Sequence, residues 1–114
     1  MAVTDLTFLN AFSNGNGALK KQFIQMFISS APNSILEMKQ AAAENRLHDL
    51  GRGAHSIKPQ FSYMGIDSCT EQILKLEKCD EQKLNENEIQ ELINAVSQIC
   101  SEAVIELQEV VNEL

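Results

Sequence analysis

Apolar residues recur every three to four positions along the whole chain, and nowhere do they alternate for long with period two. That spacing predicts helices throughout. A short first helix starts near Asp5, whose carboxylate suits an N-cap, and runs through Phe8 and Phe12. It stops at Asn14-Gly15-Asn16-Gly17, which is strong turn chemistry. A second helix carries Leu19, Phe23, Met26 and Phe27 on one face. Ser30-Ala31-Pro32 predicts its end and the start of a third, since proline is tolerated in a first helical turn and not in a helix interior. The third bears Ile35, Met38, Ala42 and Ala43 and fades near Asn45, and a fourth spans about Leu47 to Met64 with Gly65 as its stop. Ser68-x-x-Glu71 has the form of a capping box opening a fifth helix, with Ile73, Leu76 and Cys69 inward. After a polar turn from Asp80 to Asn87, the last helix runs from Ile89 to Leu114. Its stripe of Ile89, Ile93, Val96, Cys100, Ala103, Leu107, Val110 and Leu114 steps by four and three in strict alternation, which suits antiparallel neighbours at shallow crossing angles.

Helices joined by short turns point to an all-α fold, an up-and-down antiparallel four-helix bundle with a short additional N-terminal helix. At 114 residues, without internal repeat, low-complexity stretch or linker, residues 1–114 read as a single domain. Five Gly and two Pro are too few for the turns of a many-stranded sandwich or barrel. No uncharged apolar run approaches the roughly 18 residues of a membrane span, and the opening Met1-Ala2-Val3-Thr4-Asp5 lacks the basic start of a signal peptide, so a cytoplasmic protein without membrane contact is expected.

Charge is unevenly placed. Residues 1–79 carry eight Lys and Arg against seven Asp and Glu, whereas residues 80–114 set Lys83 alone against nine acids, so the net charge of -7 lies in the C-terminal third. Nucleic acid, which needs a basic face, is excluded as a bulk-charge partner. Cys69, Cys79 and Cys100 are an odd number without a C-x-x-C pair and sit among apolar helical positions. They read as small buried hydrophobes in a reducing compartment rather than metal ligands or disulfides.

The fourth helix breaks the core pattern. With His55 at zero and about 100° per residue, Leu50, Gly53, Ile57, Phe61 and Met64 gather opposite it, flanked by Ala54 and Leu47. His48, Gly51, Arg52, Lys58, Pro59 and Ser62 share its own side, so His55 points into water in mid-helix with two cations within one turn. A metal bridging His48 and His55 fails on distance, because seven helical residues span about 10.5 Å. Ser–His or Cys–His catalysis would need an orienting group and an oxyanion site that no motif supplies. Gly15-Asn16-Gly17 lacks the Lys-Ser/Thr of a phosphate loop, so an autonomous kinase is disfavoured. There remains a neutral imidazole acting as nucleophile toward a group brought by a partner. A phosphoryl group would bring about two negative charges, which Arg52 and Lys58 are spaced to meet from adjacent turns.

Ala54-His55-Ser56-Ile57-Lys58, with Gly65 ten residues past the histidine, resembles the signature of histidine-containing phosphotransfer (HPt) domains, roughly A-H-x-L-K-G with a later Gly. The resemblance extends to Phe23-Ile24-x-x-Phe27, to Ala31-Pro32 before a helix, to Leu50 and to Leu76-Glu77. It implies that His55 is the phospho-accepting residue and Lys58 the phosphate-neutralising partner. The implied role is shuttling a phosphoryl group between aspartates of response-regulator receiver domains, with no cofactor on this chain and Mg²⁺ on the receiver. The chain is then a free-standing monomer or a domain excised from a hybrid sensor histidine kinase. The alternative is a helical docking domain that binds receivers without using His55. Pro59 stands where the family has Gly. It lacks the N–H for the carbonyl of residue 55 and predicts a kink beside the nucleophile at a cost of about 3 kcal/mol.

A receiver is expected to dock around His55, on Gly51, Arg52, Pro59, Ser62 and Tyr63. Gly51 offers room as an exposed small residue, and Arg46, Arg52 and Lys58 against Asp49 give a weakly basic spot. A charge reversal at Glu106, on the acidic last helix, is expected to matter little for transfer.

Overall fold

The computed structural model describes residues 2–114. They form five helices: α1 (Thr7–Ser13), α2 (Gly17–Ala43), α3 (Leu47–Tyr63), α4 (Thr70–Glu77) and α5 (Glu86–Glu113). Successive neighbours from α2 to α5 pack on one another, α5 closes the ring against α2, and α1 lies on α2. This is the expected all-α bundle with its extra N-terminal helix. No helix among the described residues is long and apolar enough to cross a membrane.

The largest difference lies at Pro32, which sits inside α2 instead of dividing two helices. Ile24, Phe27, Ala31, Ile35, Met38 and Ala41 are all buried and keep one helical phase across the proline. Packing of that continuous stripe against α3 and α5 outweighs a local cost of about 3 kcal/mol. Beside the break, Asn33 Nδ2 donates to the Ser29 carbonyl at 3.0 Å and Ser29 Oγ donates to that of Met26 at 3.2 Å. Met26, expected on the inner face, is 56% exposed, and Ala41 takes the core position expected of Ala42 and Ala43.

In α5 the stripe holds from Ile89 to Leu107, and then Val111 is buried where Val110 was expected, while Leu114 is exposed. A strict three-four alternation has period 3.5, and a straight helix drifts about 20° per heptad against it. Three heptads after Ile89 the drift moves the inward position by one residue. Asn85 caps α5 by accepting from the Glu88 N–H at 2.9 Å.

Two other termini also depart from expectation. The Ser68–Glu71 capping box does not form: α4 begins at Thr70, whose hydroxyl donates to the Asp67 carbonyl at 3.0 Å, because burying Ile66 and Cys69 sets the turn. Asp5 acts one position early, Oδ1 accepting from the backbone N–H and hydroxyl of Thr7 at 3.0 and 2.6 Å.

The N-terminal strap ties two elements together. The Asp5 N–H donates to the Met64 carbonyl at 3.0 Å, and the Asp5 carbonyl lies where a Cβ on Gly65 would be, so Gly65 is required both by its φ of +65° and by this close approach. Glu106 accepts from the backbone N–H groups of Val3 (2.7 Å) and Thr4 (3.0 Å) and from the Thr4 hydroxyl (2.7 Å). Glu106 therefore anchors the strap to α5. The three cysteines are buried and unpaired, and burial pushes the thiols of Cys69 and Cys100 up to about 11.

Candidate functional site

α3 sets the site through its two faces. Leu50, Ala54, Ile57 and Phe61 are buried, which fixes the rotation of the helix and turns His55 outward with 70% of its side chain exposed. The helix continues unbroken through Pro59 to Tyr63.

Gly51 contradicts its expected exposure. It is buried, and a Cβ on it would lie 2.8 Å from the backbone oxygen of Glu77. Its missing side chain lets the C-terminal end of α4 press against α3, so Gly51 is a packing residue under the site and not an open landing point. That approach delivers Glu77, which the sequence placed only as part of the family resemblance. Glu77 Oε1 is 3.0 Å from His55 Nδ1, and Oε2 accepts from Lys58 Nζ at 3.0 Å. The bond to His55, then that to Lys58, hold the Glu77 carboxyl below the ordinary carboxylate range. An ionised carboxylate only accepts, so Nδ1 carries the ring proton and donates it. In the neutral ring this leaves the lone pair on Nε2, at the other edge, so the contact with Glu77 selects one tautomer.

The basic spot is smaller than the sequence implies. Arg46 is engaged by Glu44 at 3.0 Å and Asp49 at 2.8 Å, and Lys58 by Glu77. Arg52, exposed, is the one of the three that makes no ion pair among the described residues. A cleft of about 590 Å³ between α3 and the end of α4 is bounded by His48, Arg52 and His55 on one side and Glu77, Asp80 and Glu81 on the other. No group of three His, Cys, Asp or Glu side chains is placed to hold a metal ion among the described residues.

Pro59 and Ser62 are exposed on the His55 side, and Tyr63 is 48% exposed at the end of the helix. Tyr63 stacks on Phe8 of α1 at 5.6 Å, Phe8 stacks on Phe12, and Phe12 meets Phe23 of α2 edge-on at 5.1 Å. Phe8 and Phe12 remain 50% and 55% exposed, which makes an aromatic patch at the α1 end of α3. The i, i+4 spacing of Phe8 and Phe12 around the buried Leu9 was the available signal for that patch. Glu77 had none beyond the resemblance, because its pairing depends on how closely α3 and α4 approach.

The site is thus an exposed imidazole in mid-bundle, paired through Nδ1 with Glu77. The family model of the Hpt domain matches residues 22–111, and the chain belongs to the Hpt domain family. Hpt domains are phosphocarrier modules of two-component phosphorelays, distinct from kinases, and typically interact with receiver domains. Comparisons with curated proteins and with solved structures gave no match.

Proposed function

We propose that residues 1–114 form one phosphotransfer domain in which His55 accepts a phosphoryl group from a receiver aspartate and passes it to another. The observation that carries this reading is the Nδ1–Glu77 contact beneath an exposed ring, in a chain of the Hpt family. The Nε2 lone pair forms the N–P bond as the P–O bond of the aspartyl phosphate breaks, and the aspartate leaves as carboxylate. The Nδ1 proton stays in its bond to Glu77, so the return step releases a neutral imidazole and not an imidazolate. The receiver supplies Mg²⁺ and the other groups that stabilise the transferring phosphoryl.

The docking face runs along α3 from Arg52 through Pro59 and Ser62 to Tyr63 and the Phe8–Phe12 pair. Gly51, being buried, drops out of this face, and the exposed aromatic rings of α1 join Tyr63 of α3 in it. Incubation with a phosphorylated cognate receiver tests the proposal. Transfer to the wild-type chain and none to His55→Gln is expected, with the fold of the variant unchanged to within about 0.5 kcal/mol because the position faces water. Labelling of the variant at the wild-type rate would remove His55 from the role. Binding without transfer would make the chain a receiver-docking domain.

A further inference from the structure

The position of Glu77 divides the surroundings of His55 into two unlike halves. Seen down α3 from His55, Lys58 lies about 60° to one side and Arg52 about 60° to the other. Gly51 and Leu47 lie on the Lys58 side, and both meet the end of α4: Gly51 approaches the Glu77 carbonyl, and the Leu47 carbonyl accepts from Cys79 Sγ at 3.5 Å. Gly53 lies on the Arg52 side and packs against Met38 of α2. His55 Nδ1 is turned toward α4, where Glu77 already neutralises Lys58 across 3.0 Å. Nε2 occupies the opposite ring edge, and Arg52, which lines the same cleft as His55 where Lys58 does not, is the cation there without an ion pair among the described residues.

Resting on the phosphotransfer reading, we infer that Arg52, one turn before His55, is the residue that contacts the phosphoryl group on Nε2, while Lys58 remains with Glu77. Lys58 would reach the phosphoryl only by giving up a carboxylate that is itself four-fifths buried and bonded to the same ring. Arg52 gives up nothing. Its planar guanidinium offers two parallel N–H donors to two phosphoryl oxygens, a geometry a lysine cannot supply.

Phosphoramidate, a small donor that needs no docking, isolates this contact. Nε2 forms the N–P bond as the donor's own P–N bond breaks and ammonia leaves. At low ionic strength Arg52→Gln should slow labelling of His55 about tenfold or more, Arg52→Lys should recover part of the rate, and Lys58→Gln should cost less than about threefold. In the labelled protein the side-chain ¹⁵N resonances of Arg52 should move while Nζ of Lys58 stays in place. A wild-type rate in Arg52→Gln, or a larger loss in Lys58→Gln than in Arg52→Gln, would return the phosphoryl contact to Lys58. A wild-type chain that takes no more label than His55→Gln would instead overturn the phosphotransfer reading itself.

Discussion

One added methyl group at Gly51 measures how much the site depends on the approach of α4. In an isolated helix Gly→Ala gains about 1 kcal/mol, because alanine loses less backbone freedom. At Gly51 the new Cβ would sit 2.8 Å from the Glu77 carbonyl oxygen, whereas ordinary contact begins near 3.4 Å. The obstacle is backbone, so the end of α4 must withdraw by about half an ångström, and overpacking of this kind costs about 1–3 kcal/mol. The net expectation for Gly51→Ala is a loss of about 1 kcal/mol, a fall in Tm of about 4 °C for a domain of this size. Gly53→Ala is the comparison on another face of the helix: its Cβ would lie 2.7 Å from Cγ of the buried Met38, so a side chain of α2 must shift while the Glu77 contact is left in place. Thermal and urea unfolding read the stabilities, and ¹⁵N shifts of the His55 ring read the tautomer. Withdrawal of Glu77 should reduce the population protonated at Nδ1 in Gly51→Ala alone. If Gly51→Ala melts several degrees above wild type, helix propensity is unopposed and the close approach of α4 is wrong.

Acid should weaken the fold through two carboxylates. Glu77 is lowered by His55 and Lys58; at Glu106 burial pushes upward but is outweighed by hydrogen bonds from Val3 and Thr4. Each binds its proton less readily folded than unfolded, so their stabilisation is complete above the ordinary value of 4.5 and is lost as pH falls from there through the folded-state values. A pH series of urea midpoints should decline in that window and decline less in Glu106→Gln; equal slopes would remove Glu106 from the account. Glu106→Lys should release the strap and expose the Val3 and Thr4 amides to hydrogen exchange, with unchanged protection counting against the anchor. Phe12→Ser should weaken binding of a cognate receiver about tenfold without altering phosphoramidate labelling, and unchanged binding would move the docking face elsewhere. Cys69 and Cys100, with thiols near 11, should react with a thiol reagent at neutral pH only as the protein unfolds; rapid native labelling would contradict their burial.

Much of the architecture is written in local spacing. The apolar period gave the helical class, Asn14-Gly15 and Gly65 gave two of its stops, and the α3 wheel turned His55 to solvent, because these depend on residues within a turn or two of one another. Local rules misjudged Pro32 for the complementary reason. A proline's cost is local, but the stripe from Ile24 to Ala41 that overrides it draws its energy from α3 and α5. Val110 and Val111 exchanged places because a repeat of 3.5 and a helix of 3.6 part company only over several turns.

The candidate site divides along the same line. His55, Lys58 and Arg52 lie on one helix, so their neighbourhood follows from sequence spacing alone. Gly51 looked exposed on that same wheel, since a wheel shows direction and not what stands there. Only the packing of α4 buried it, brought Glu77 to Nδ1 and engaged Lys58, while Arg52 has no ion pair among the described residues. The sequence by itself determined which histidine is presented to solvent; the tertiary structure decided which ring nitrogen is engaged and which cation has no ion pair among the described residues, because both depend on a carboxylate that reaches the helix across a glycine-sized gap.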